Sequence, residues 1–141
     1  MTLDDVVDVL SKCAAFDRRT VGEADAIAWA DAIGDLPCRD ALDAVAAWYR
    51  DHREFVMPSD IRTLVEDIQG ARAERVSDED LTQDVDPRDG RAYLATLQLR
   101  KTAIRDGMTV DQANALPLPP EARHAAIDRR VHRVLPLEGA R

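Results

Sequence analysis

The chain has 141 residues, with 27 acidic against 19 basic side chains and a formal charge of −8. This length accommodates one ordinary domain, or a small domain with an extension. Aromatic residues make up only 4% of the chain, so the expected core consists of Ala, Val, Leu and Ile. No apolar run reaches the roughly 20 residues of a membrane-spanning helix, and residues 1–5 lack the basic start of a signal peptide. A cytoplasmic protein without membrane association is therefore expected.

The charge is unevenly distributed along the chain. Residues 1–70 have a net charge of −8, residues 71–90 of −4 and residues 91–141 of +4. This distribution predicts three parts, which are an N-terminal helical bundle over 1–75, an acidic linker over 76–88 and a basic helical segment over 89–141. The basic segment is thin in apolar residues, so we expect it to be partly ordered until it binds a partner.

The first 70 residues show the periodicity of about four amphipathic helices. Thr2 is the expected cap of the first helix, a capping box at Thr20 and Glu23 begins the second, Pro37 opens the third and Ser59 caps the fourth. The predicted apolar stripes are Leu3, Val6, Val7, Leu10, Cys13 and Ala14, then Ala26, Ile27, Ala30 and Ile33, then Ala41, Leu42, Val45, Ala46, Trp48 and Tyr49, and finally Ile61, Leu64, Val65 and Ile68.

The second half also predicts helices and no strands, so the expected fold class is all-α. A fifth helix is expected from a cap at Asp86 to a stop at Asp106–Gly107. Thr109 is the expected cap of a short helix that ends near Leu116. A last helix is expected over 121–135, after the proline-rich stretch 117–120.

Sequence motifs for chemistry are missing. The chain has no phosphate-binding loop, no dinucleotide fingerprint and no zinc-ligand spacing. Its two cysteines, Cys13 and Cys38, lack the spacing of a redox or metal pair. The acidic residues fall on helix surfaces. A non-enzymatic protein that needs no cofactor or metal is therefore expected.

The basic C-terminal segment is the predicted partner-binding region. Its cations suit an acidic protein face or, more weakly, DNA phosphates, and a solvated basic face is the alternative. The predicted cationic contacts are Arg100, Lys101, Arg105, Arg129, Arg130 and Arg133.

The order of features over residues 3–70 has a family resemblance. Trp29 stands in one helix, the Ala-rich run 41–49 ends in Trp48 and Tyr49, and Phe55 precedes a turn. Pro58, Asp60 and Ile61 then open the next helix. This arrangement resembles the phage family of replicative helicase loader and inhibitor proteins. The departure is Val56–Met57–Pro58, where that family more often has a tighter Phe-Pro-Pro turn.

The resemblance implies a role in DNA replication. Members of that family bind a hexameric replicative helicase of the DnaB type, hold it inactive and deliver it to DNA together with an origin-binding protein. Their folded N-terminal helical domain precedes a C-terminal segment that engages the helicase. In this chain, the bundle over 1–75 would be the hub and residues 91–135 the helicase contact. The resemblance implies that the cations named above steer the encounter, and that buried anchors come from Leu94, Leu97, Ile104, Val131 and Leu135.

Two other functions stay open at the level of sequence. The second to fourth helices also fit a helix-turn-helix DNA-binding protein, although the helix after Ser59 is acidic where a recognition helix is usually basic. A small phage adaptor with another protein partner is the other possibility. In all three cases, Trp29, Trp48, Tyr49 and Phe55 are expected to lie in the core.

Overall fold

The computed structural model describes residues 1–123, and these residues are all-helical, with no strand among them. The helices are α1 (Leu3–Asp17), α2 (Glu23–Ile33), α3 (Cys38–Asp51), α4 (Pro58–Glu74), α5 (Gly90–Arg105) and α6 (Val110–Asn114). Helical backbone resumes at Pro120 and continues through Arg123. The predicted helix over 121–135, with Arg129, Arg130 and Arg133, otherwise lies outside the described residues.

The chain divides into two compact units, unit 1 from Met1 to Ala71 and unit 2 from Arg72 onward. In unit 1, α1 packs against both α2 and α3. The core of unit 1 contains small and β-branched side chains, as the composition predicts: Val6, Val9, Leu10, Cys13, Ala26, Ile33, Ala41, Ala44, Val45, Val56, Ile61 and Val65. Trp29, Trp48 and Tyr49 pack against this core and are themselves partly buried.

The buried face of α1 differs from the predicted stripe. Val9 is fully buried, whereas Leu3 and Val7 are 48% and 38% exposed. Both α2 and α3 pack on α1, and together they cover the side of the helix that contains Val9. Periodicity alone does not distinguish between these two adjacent faces.

Helix starts agree with the predictions to within a few residues. Thr2 caps α1 as expected, since its hydroxyl accepts from the Asp5 N–H. The predicted capping box at Thr20 is wrong, because α2 begins at Glu23 and the Asp25 carboxylate accepts from the Gly22 N–H instead. At α4 the predicted cap Ser59 already lies inside the helix.

The predicted acidic linker over 76–88 is wrong. Residues 78–85 form consecutive turns, and Leu81 within them is fully buried. Leu81 packs with residues of α5 and α6 in the core of unit 2, which contains Leu81, Ala103, Ile104 and Ala113. The many carboxylates do not keep this segment extended, because Asp78 and Asp84 are paired with cations of α5. The α5 start is also later than predicted, with Asp89 as its cap instead of Asp86.

Candidate partner-binding surface

The end of α1 and the loop after α3 are joined in unit 1 by a buried ion pair. The Arg19 guanidinium donates to the Asp17 carboxylate at 2.6 and 2.9 Å. The two side chains are only 12% and 2% exposed. Arg19 also donates to the backbone carbonyl oxygen of Val56 at 3.0 Å. The ion pair therefore fixes the loop that precedes α4 against the end of α1.

Tyr49 completes this network from α3. Its hydroxyl donates to Asp17 and accepts from the Val56 N–H at 3.2 Å. Burial tends to raise the pKa of Asp17, but hydrogen bonds from Arg19 and Tyr49 outweigh it and hold that pKa below its ordinary value. Burial, together with the bond to Asp17, raises the pKa of Tyr49. At neutral pH the network therefore holds an ionised pair and a neutral phenol.

Aromatic rings surround the Arg19 guanidinium. Its central carbon lies 5.3 Å from the centre of the Trp29 ring and 5.0 Å from that of the Phe55 ring. Both distances are typical of cation–π contacts. The Phe16 ring stacks on Tyr49 with centroids 4.9 Å apart and an interplanar angle of 17°. Residues from α1, α2, α3 and the loop before α4 thus meet around one arginine.

Three large apolar side chains of this region are open to solvent. Phe16 is 53% exposed, Phe55 is 56% exposed and Met57 is 53% exposed. The prediction that Phe55 lies in the core is therefore wrong. Together with Arg19 and Tyr49, these three residues form what we call the aromatic–arginine surface. Exposed apolar groups next to Trp, Tyr and Arg side chains are typical of protein-binding sites.

The loop between α3 and α4 is held in place by its own contacts. The Trp48 indole N–H donates to the Glu54 carbonyl oxygen at 2.8 Å, and the His52 ring stacks on Trp48 with centroids 4.0 Å apart. Farther along, the Met57 N–H donates to the Asp60 carboxylate at 2.9 Å. Phe55 and Met57 therefore protrude from an ordered loop, which lowers the conformational entropy lost on binding.

The pKa values of four groups in unit 1, Cys13, Cys38, Asp17 and Tyr49, are shifted away from neutrality. Burial raises the pKa of the Cys13 thiol to about 11, and burial followed by the nearby Asp5 raises the pKa of Cys38. The pKa values of Asp17 and Tyr49 also move away from neutrality. A general base or an activated thiol needs a shift in the opposite direction.

Arg100, a predicted partner contact, has a structural role instead. It is 1% exposed and lies within unit 2. It donates to the Asp84 carboxylate at 2.6 and 2.8 Å, to the Leu81 carbonyl oxygen at 2.8 Å and to the Asn114 carbonyl oxygen at 3.3 Å. A guanidinium enclosed in this way is not available to a partner, so this prediction is corrected.

The other predicted residues of α5 differ in their accessibility. Leu94 is 57% exposed, whereas Leu97 packs against the unit 2 core. Lys101 pairs with Asp78 at 2.6 Å and remains 38% exposed, and Arg105 is partly buried. Of the predicted residues that are described, Leu94 and Lys101 are thus the most accessible. A shallow groove of about 620 Å³ in the same unit has an acidic lining that includes Asp78 and Glu79.

Comparison with known proteins gives no family for this chain. No protein-family model matches it, and no curated protein or solved structure matches it. Within residues 1–123, no helix combines the length and apolar content needed to cross a membrane. The same residues contain no group of three His, Cys, Asp or Glu side chains placed to hold a metal ion.

Proposed function

We propose that this chain is a non-enzymatic DNA-replication accessory protein that binds a hexameric replicative helicase and loads or inhibits it. The observation that carries the binding role is the aromatic–arginine surface. Its three apolar side chains are half-exposed: Phe55 lies 5.0 Å from the Arg19 guanidinium, Phe16 stacks on Tyr49, and Met57 follows in the same loop as Phe55. Binding energy at protein interfaces is concentrated in such aromatic and arginine clusters.

The family resemblance is the basis for naming a helicase as the partner. Trp29, Tyr49 and Phe55, three of the residues that carry the resemblance, all lie close to Arg19. Pro58, Asp60 and Ile61 lie in the first turn of α4. Because Trp29, Tyr49 and Phe55 cluster around Arg19, the residues that carry the resemblance belong to one region of this chain. This clustering supports a common role for them.

The helicase contact in this proposal also includes the C-terminal half of the chain. Leu94 and Lys101 are its accessible described residues, and Arg129, Arg130 and Arg133 are its predicted cations farther along. An origin-binding protein is the proposed second partner. Arg100 has no direct part in either contact, because its guanidinium is used inside unit 2.

Co-purification tests the proposal. The full chain is mixed with the replicative helicase of its host or phage, and the complex is assayed for ATPase activity and single-strand binding. We expect a stable complex with altered helicase activity. The double variant F55S/M57S should weaken it by about tenfold. The matched control is L3S, because Leu3 is equally exposed but lies at the other end of α1, about 20 Å away. Absence of any complex with the wild-type chain would contradict the proposal.

DNA binding through α4 is less well supported. Arg62 is the cation in the first half of α4, where a recognition helix contacts DNA, and it pairs with Asp35 at 2.6 Å. The neighbouring Glu66 and Asp67 are exposed and would face phosphates. A steep loss of DNA affinity with rising salt would favour this alternative. A complex with a protein other than a helicase would favour the adaptor.

A further inference from the structure

We infer that the aromatic–arginine surface binds a short segment of a partner protein in which apolar anchors are flanked by carboxylates. This inference deepens the proposed function and rests on its protein-binding role, but it does not require the partner to be a helicase. It specifies the chemistry that the bound segment must have.

Three exposed arginines lie next to residues of the aromatic–arginine surface in sequence. Arg18 lies between Phe16 and Arg19 in sequence, Arg50 follows Tyr49, and Arg53 lies two residues before Phe55. All three are exposed. In the described part of the chain, none of the three side chains forms an ion pair. They are therefore available to the carboxylates of a bound segment.

This concentration of arginines contrasts with the rest of residues 1–70. That stretch has seven basic residues, and four of them are Arg18, Arg19, Arg50 and Arg53. The region also contains three carboxylates, Asp17, Asp51 and Glu54, so its net charge is +1. The rest of residues 1–70 has three basic and 12 acidic side chains, for a net charge of −9. The arginine-containing region is thus a small cationic patch on an otherwise acidic unit.

The small size of this cationic patch favours a peptide segment over a nucleic acid or a second copy of the chain. A nucleic acid would extend phosphates beyond the arginines onto the acidic surroundings, where repulsion opposes binding. A second copy of the chain in a two-fold symmetric dimer would bring two copies of the same cationic patch together, without the carboxylates that the arginines favour. A short segment with a few carboxylates meets the arginines alone, and its apolar side chains cover Phe16, Phe55 and Met57.

A peptide selection tests the inference. A displayed library of random short peptides is selected against the immobilised full chain, and the enriched peptides are synthesised and titrated by fluorescence anisotropy. We expect enriched sequences to combine Leu, Phe, Ile or Met with flanking Asp or Glu. The F55S/M57S variant should bind them about tenfold more weakly, and R18E/R53E about fivefold more weakly with a reduced salt dependence.

Two variants serve as matched controls. L3S removes an equally exposed apolar side chain, and R39E reverses an exposed arginine at the opposite end of α3, about 17 Å from Arg50. Both should keep affinity within about twofold. Thermal unfolding followed by circular dichroism verifies that every variant is folded.

Several results would overturn the inference. These are no enriched peptide, enriched peptides without an acidic excess, or affinities that the surface variants leave unchanged. Oligothymidylate binding that F55S/M57S abolishes would assign the surface to nucleic acid, and dimerisation that it abolishes would assign the surface to a second copy. A failed helicase co-purification with a successful peptide selection would reject the helicase role alone.

Discussion

Arg18 ends α1 in the left-handed conformation, with φ at 59°, and its N–H donates to the Ala14 carbonyl oxygen at 2.8 Å. A residue with a Cβ is strained there, whereas glycine is not. Arg18→Gly should therefore raise the free energy of unfolding of unit 1 by about 1 kcal/mol. Urea denaturation followed by tryptophan fluorescence measures it. Arg53 has no positive φ, so Arg53→Gly should not stabilise, and stabilisation by both variants would argue against this origin.

The ion pair of Asp17 and Arg19 predicts a dependence of stability on pH. The folded-state pKa of Asp17 is lowered, so the carboxylate stabilises unit 1 at pH values above its unfolded pKa of about 3.9. This contribution decreases as the pH falls from there through the folded pKa. Asp17→Asn should lower stability at pH 7 and flatten the decline between pH 5 and pH 2, as measured by tryptophan fluorescence in urea. Equal slopes in the two proteins would contradict this prediction.

At the scale of elements, Arg100 connects α5 to two other parts of unit 2. Its guanidinium donates to the Leu81 carbonyl oxygen and the Asp84 carboxylate in the turns before α5, and to the Asn114 carbonyl oxygen at the end of α6. Arg100→Leu removes these bonds and leaves the buried carbonyl oxygens without donors. We expect a loss of about 3 kcal/mol in unit 2. Hydrogen exchange at the amides of α5 and α6 measures it. Lys101→Leu removes only the exposed pair with Asp78 and should cost about 0.5 kcal/mol. Equal losses in the two variants would reject the structural role of Arg100.

Sequence patterns anticipated the elements better than the contacts between them. Apolar spacing predicted the all-helical class, and local capping chemistry located Thr2 and Thr109, since a cap needs only neighbours in sequence. The linker prediction was wrong because Leu81 is one apolar residue among many acids, and it is buried by packing against α5, where Ile104 lies 23 residues away. The composition of residues 76–88 alone does not predict a packing partner so far along the chain.

The aromatic–arginine surface was missed for a similar reason. The sequence predicts that Phe55 lies in the core with Trp29, Trp48 and Tyr49, because burial is the usual state of aromatic residues. The other three do pack on the core, and Phe55 does not. One signal was present in the sequence: Phe16 and Phe55 each adjoin a run of charged residues at the end of a helix. The position of Phe55 next to Arg19 and the stacking of Phe16 on Tyr49 depend on the packing of α1 against α3, which the sequence alone does not specify.

At the scale of the whole molecule, the two units have separate cores. The unit 1 core and the residues packed on it lie between Met1 and Ile68, and those of unit 2 between Val76 and Leu116. A fragment of residues 1–75 should therefore unfold cooperatively, with the tryptophan-fluorescence midpoint of the full chain, because both tryptophans lie in unit 1. Urea titration of the fragment and the full chain measures this. A fragment without a cooperative transition would show that unit 1 needs the remainder of the chain.

The burial of Cys13 provides unit 1 with a built-in reporter of its opening motions. Its sulfur is fully enclosed, and its thiol hardly ionises at neutral pH. An alkylating reagent reaches this sulfur only in molecules whose core has transiently opened. With the half-buried Cys38 replaced by serine, the labelling rate would measure the population of open molecules under native conditions. A bound partner that closes the end of α1 should slow that rate.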